Sequence, residues 1–140
     1  MNCIASYSLW IGHAGDGRDV SKICRLGIQA VLQVAGEEPV LQLPRDILSF
    51  RIPFLDGPGN ELSHLRLAVS LLSNLLRANI PTLVCCSAGA SRSPTIAAFA
   101  IAQIELRTPQ ECLMFVRNHH PTDVSPGFWN ELLRSLSPAN

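Results

Sequence analysis

The chain has 140 residues, 47% of them hydrophobic and 16% charged, which suits one globular domain over residues 1–140 and excludes a disordered tail. Lys and Arg total 11 and Asp and Glu total 11, so no net field draws the chain to nucleic acid or to an anionic membrane surface, although a local anion site stays compatible with that balance. At this length folding buries roughly 68% of the extended chain's surface, enough for a core that needs neither disulfide nor metal.

Residues 4–11 read as a first strand ending at Trp10 and Ile11, and the stretch from Gly12 to Gly17 breaks it. A helix is expected from Asp16 to Leu26, with Val20, Ile23 and Cys24 on one face and Gly27 as its stop. Ile28, Ala30, Leu32 and Val34 then alternate with Gln29, Val31 and Gln33, the period of a strand covered more heavily on one face. Residues 47–54 form another short strand, and the Asp-Gly-Pro-Gly-Asn segment after it cannot continue a ladder, so a mobile loop is expected there. From Glu61 to Ala78 a leucine-rich stripe keeps helical spacing. Residues 81–86 make a brief apolar strand, and 93–102 open a helix that is apolar almost all round, with Ser93 as N-cap and Pro94 at the first helical position. Thr108-Pro109 with Glu111, and Ser125-Pro126 ahead of Phe128, Leu132, Leu133 and Leu136, repeat the same start signal for two more helices. Strands interleaved with helices define an α/β fold with a central, mostly parallel sheet of four to five strands flanked by helices, and functional loops belong at the strands' carboxyl ends.

Cys3, Cys24, Cys85, Cys86 and Cys112 are an odd, unpatterned set, which fits a reducing compartment better than a secreted disulfide framework. The first residues have no basic stretch before an apolar one, and nothing reaches the roughly 20 apolar residues of a membrane span. A cytoplasmic location is therefore expected, with no membrane partner and no nucleic acid. His13, His64, His119 and His120 lack ligand spacing, so no metal and no other cofactor is expected.

Between the 81–86 strand and the helix after it lies Cys86-Ser87-Ala88-Gly89-Ala90-Ser91-Arg92-Ser93, a cysteine and an arginine separated by small residues. Such a loop, feeding a helix N-terminus, turns successive backbone N–H groups inward as an anion nest, and phosphate is its natural guest. Arg92 adds a planar fork able to take two phosphate oxygens at once. The same field favours the thiolate of Cys86, the nucleophilic form. In-line attack then gives a cysteinyl-phosphate that water hydrolyses, splitting one hard displacement into two easier ones. The leaving oxygen needs a proton from a neighbouring carboxyl, and Asp56 is the choice, at the head of a loop that follows a strand. Asp46 precedes its strand, Glu61 fits a first helical turn, and Asp123 fits a loop-shaping role. Ser93 has two readings, as the helix cap and as a donor to the departing sulfur.

This segment resembles the phosphate-binding signature of the cysteine-based protein tyrosine phosphatases, and the size and order of the chain resemble their compact dual-specificity branch. The likeness extends from Leu9-Trp-Ile-Gly12 to the Ser125–Leu133 stretch, while only the signature is highly specific. It implies Cys86 as nucleophile, Arg92 as phosphate clamp, Asp56 as general acid and Ser93 as helper of the leaving thiolate, with residues 87–91 giving backbone donors. The family usually has histidine immediately before the nucleophile, where this chain has Cys85. Adjacent strand residues point to opposite faces, so Cys85 reads as a small core residue instead of a redox partner. Three functions stay open: a phosphomonoester hydrolase acting on a phosphorylated protein or other phosphomonoester, a phosphate- or phosphopeptide-binding module weakened at Cys85, and a sulfur- or arsenate-handling enzyme. The phosphate carrier, whether phosphotyrosine, phosphoserine, phosphothreonine, lipid, nucleotide-like or RNA, and the oligomeric state also stay open.

Overall fold

The computed structural model describes residues 1–136. Five strands form one sheet: β1 (Asn2–Ile4), β2 (Leu9–Gly12), β3 (Ala30–Ala35), β4 (Leu48–Phe54) and β5 (Thr82–Cys85), in the spatial order β1-β2-β5-β3-β4. β2, β5, β3 and β4 run parallel, and only β1 pairs antiparallel, along β2. The helices are α1 (Ala14–Arg18), α2 (Val20–Arg25), α3 (Leu62–Arg77), α4 (Arg92–Glu105), α5 (Pro109–Arg117) and α6 (Pro126–Ser135).

Parallel strands need crossovers, and crossover helices cover both faces of the sheet. Accordingly every residue of β3 and β5 is buried. The pleat sorts their side chains between two clusters. Leu32, Val34, Val84 and Cys86 join the large core that includes residues of α3, α4, α5 and α6, whereas Val31, Leu83 and Cys85 join a small one with Ile23 of α2 and Ile28. Of the face expected to be heavier, Leu32 and Val34 lie toward α4, whereas Ile28 packs in the small cluster. That helix is buried without interruption from Arg92 to Ala102, which explains its lack of a polar stripe. Among the described residues no helix is long and apolar enough to cross a membrane.

The structure corrects three sequence expectations. Residues 4–11 are not one strand: the chain reverses between β1 and β2, with Ser6 at φ 73°. The helix expected from 16 to 26 is two short ones, because the Asp19 side chain accepts from Lys22 N and starts α2 afresh. The N-cap of α4 is Ser91 instead of Ser93, which puts Pro94 third in the first turn, where its missing N–H is still one the ladder does not use. α5 and α6 begin as read, with Thr108 Oγ1 accepting from Glu111 N at 3.2 Å and Ser125 Oγ from Phe128 N at 3.5 Å.

Candidate active site

β5 ends at Cys85, and residues 86–91 carry the chain from the carboxyl edge of the sheet into α4. The carbonyls of this loop are held from outside. Ser87 O accepts from Ala14 N at 3.0 Å, Ala90 O from Asp123 N at 2.8 Å, and Ser91 O from Thr95 N at 3.1 Å and Thr95 Oγ1 at 2.7 Å. Gly89 O accepts from His120 Nε2 at 2.6 Å. In a trans peptide the N–H points opposite the preceding C=O, so pinning these carbonyls outward turns the following N–H groups inward. The loop borders a cavity of ≈ 330 Å³ lined by Cys86, Ser87, Ala88, Ala90, Ser91 and Arg92, and by Glu37, Asp56 and Asp123. Gly89 stays out of that lining. At φ +75°, a Cβ there would stand 2.8 Å from the carbonyl carbon and oxygen of Gly12, so the end of β2 closes on the loop only because position 89 is glycine.

Arg92 is 3% exposed and spends both terminal nitrogens on fixed acceptors. Nη1 donates to Glu37 Oε1 at 2.6 Å and to Phe54 O at 2.7 Å, and Nη2 to Glu37 Oε2 at 2.6 Å. This fork-to-fork pair holds the Glu37 carboxyl down at about 2, against an ordinary 4.5. Ser87 Oγ lies 2.7 Å from Glu37 Oε2 and 2.9 Å from Glu38 Oε2, one hydroxyl proton serving two carboxylates. Arg92 Nε has no hydrogen-bond partner. Neither Glu37 nor Glu38 was legible as a site residue. The one signal was their position just past a buried strand, at the edge where the chemistry belongs.

Asp56 lies on the β4–α3 connection and lines the cavity with Cys86. Its Oδ1 accepts from Ser91 Oγ at 2.7 Å, and Ser91 Oγ in turn accepts from Ser125 N at 2.8 Å, so one serine ties three loops together. The expectation of a mobile loop here gives way to a tethered one. The Asn60 side chain accepts from Leu55 N and donates to Leu55 O and Gly57 O, while buried Glu131 of α6 accepts from Gly59 N and Asn60 N, both at 2.8 Å. Burial pushes the Glu131 carboxyl up, but these backbone bonds outweigh it and hold it below the usual carboxylate range.

His120 was also missed. Asn2 Nδ2 sits 2.9 Å from its Nδ1, and because an amide nitrogen only donates, Nδ1 accepts and Nε2 carries the proton given to Gly89 O. Cys85 lies in the opposite cluster at 1% exposure, where burial and the nearby Cys86 push its thiol up to about 12. It is a protonated core residue and does not line the cavity. Ser93 is fully buried, and its Oγ is the one buried hydroxyl among the described residues without a partner. Asp46 is exposed beside Arg45, and Glu61 stands at the N-cap of α3, as their sequence positions suggested. A larger hollow of ≈ 480 Å³ at the opposite edge, beside Ser8, Arg77 and Asn79, has no thiol or carboxylate in its lining.

A cysteine and an arginine thus lie at the two ends of one small-residue loop, at a helix terminus on the carboxyl edge of a parallel sheet, a placement chemically suited to a tetrahedral oxyanion. Residues 9–136 match the family model of the dual specificity phosphatase catalytic domain, and the chain belongs to this family, within the cysteine-based protein tyrosine phosphatases. The fold is similar to that of human DUSP28, at 24% identity and a TM-score of 0.84, covering 96% of this chain and 94% of that one. It is similar to a mouse putative dual specificity phosphatase complexed with zinc tungstate, at 24% identity and a TM-score of 0.83, over 96% of this chain and 84% of that one. The human tyrosine phosphatase-like serine/threonine/tyrosine-interacting protein shares the fold at 16% identity and a TM-score of 0.79, over 96% and 93%. Curated protein sequences give no match.

Proposed function

We propose that this chain hydrolyses phosphomonoesters, phosphorylated proteins foremost, through a phosphocysteine intermediate. The observation that carries the reading is the 86–92 loop with its carbonyls pinned outward around Cys86. The substrate phosphate takes the inward N–H groups and the unpartnered Nε of Arg92, while Glu37 fixes the guanidinium plane. The Cys86 thiolate attacks phosphorus in line, the P–O ester bond breaks, and the leaving oxygen takes a proton from the Asp56 carboxyl. In the second step Asp56, now a carboxylate, removes a proton from water as that water attacks phosphorus, and the S–P bond breaks. The departing sulfur is given a hydrogen bond by Ser93 Oγ, which no other group occupies.

Cys85 in place of the family's usual histidine lowers the rate without abolishing it, since the nest, Arg92 and the α4 terminus all remain. Cys85→His is expected to move the pH–rate profile, and an unmoved profile contradicts that account. Hydrolysis of para-nitrophenyl phosphate is the first test of the whole proposal. Activity lost in Cys86→Ser, indifferent to chelator and blocked by vanadate supports it. Phosphopeptide binding without turnover selects the binding module instead, and turnover of thiosulfate or arsenate selects the sulfur- or arsenate-handling enzyme.

A further inference from the structure

The cavity sorts its charges by depth. Its one cation is Arg92, buried at the floor and paired there with Glu37, and its rim carries two further carboxylates, Asp56 and Asp123, both exposed. Behind Ser87 stands a further carboxylate, Glu38, which pairs with Arg18 at 3.6 Å. Arg51 is likewise spent, on the carbonyls of Gly36 and Glu38. The unpartnered, buried Nε of Arg92 calls for one anionic acceptor at the floor. Nothing in the lining calls for a second. A substrate with one phosphate fits this arrangement, whereas a second phosphate on the same molecule would lie against Asp56 and Asp123, with no unpaired cation in the lining to receive it.

We infer that the site selects phosphorylated protein segments carrying lysine or arginine beside the phosphorylated residue, and discriminates against polyanions such as inositol polyphosphates and nucleic acid phosphates. The inference rests on the phosphatase reading above and adds its substrate class. Selection comes from the rim, which meets the flanking residues while the loop holds the phosphate. Each exposed ion pair is worth roughly fivefold at most, so the combined preference is on the order of tenfold, and salt erodes it because the rim is open to water.

The test compares kcat/KM for one phosphopeptide sequence with lysine flanks and with glutamate flanks, for an inositol bisphosphate, and for para-nitrophenyl phosphate as the reference without flanking charges. The lysine-flanked peptide is expected to exceed the glutamate-flanked one by roughly tenfold at low salt, with the gap closing toward twofold at about 0.5 M salt and narrowing in Asp123→Asn. The same ranking is expected for binding to Cys86→Ser, which reads the rim without chemistry. Equal rates for the two peptides, or an inositol bisphosphate as the better substrate, overturns the inference while the hydrolase reading stands. No hydrolysis of para-nitrophenyl phosphate removes the hydrolase reading, and the Cys86→Ser binding ranking then decides the inference by itself.

Discussion

Two loops meet over the cavity, and they are built in opposite ways. Residues 86–92 are shaped by backbone: four carbonyls pinned by five donors, a glycine in the left-handed region, and a β2 terminus that touches the loop main chain to main chain. Residues 55–60 are shaped by side chains, with Asn60 bridging the loop to itself and Glu131 reaching in from α6. A backbone-shaped loop leaves its mark on composition, because only small residues fit. A side chain reaching from another helix leaves none. The first loop fails all at once when its glycine is lost, and the second loses its hold bond by bond.

The largest effect expected is that of Gly89→Ala. A Cβ there meets the Gly12 carbonyl at 2.8 Å, backbone against backbone, in a conformation that strains any side chain by about 1–3 kcal/mol before the clash is counted. Denaturant unfolding together with phosphatase assay should show both stability and turnover lost, and a variant of wild-type stability breaks the comparison. Glu131→Ala comes next. It strands the N–H groups of Gly59 and Asn60, costing about 2–3 kcal/mol, while Glu131→Gln keeps an acceptor and costs less. In the pH–rate profile Glu131→Ala should weaken the contribution of Asp56 more than that of Cys86, which sharpens the division between the loops.

Both Glu131 and Glu37 have carboxyls held below their ordinary range in the folded chain. Their contribution to stability is therefore complete above the ordinary value of 4.5 and is lost as pH falls through it, toward about 2 for Glu37. Urea midpoints measured from neutral pH down to about pH 3 should fall, and the fall should flatten in Glu131→Gln. His120→Leu strands Gly89 O and the Asn2 amide, costing about 1–2 kcal/mol, and His120→Gln, which can still donate, should recover part of both turnover and stability. The smallest effect lies outside both loops. Leu106 ends α4 at φ 55° with 92% of its surface exposed, so Leu106→Gly should raise stability by about 0.5–1 kcal/mol and leave turnover alone.

β3 to β5 and α3 to α6 were legible because each carries its own period or start signal within a few residues. The cap of α4 was misplaced by two positions because Ser91 and Ser93 are the same residue type, and what distinguishes them is a distant partner: Ser91 reaches Asp56 and Ser125. The turn between β1 and β2 has no glycine, proline or asparagine at Ser6, so its apolar flanks read as continuous. Asp19 reads as an ordinary helix residue until its side chain is seen capping α2. In the cavity, Cys86, Arg92 and Asp56 came from spacing and loop chemistry, and the fold brings all three to one lining. Glu37 pairs with Arg92 across 55 positions, and Asn2 with His120 across 118, separations at which no local pattern survives.

Acid quenching of the enzyme during turnover of an aryl phosphate, followed by mass mapping of its peptides, tests the central claim most directly. One phosphoryl group on the Cys86 sulfur, accumulating in Asp56→Asn as hydrolysis of the intermediate slows, is the expected result. A phosphoryl group on another residue, or turnover that persists in Cys86→Ser, would contradict it.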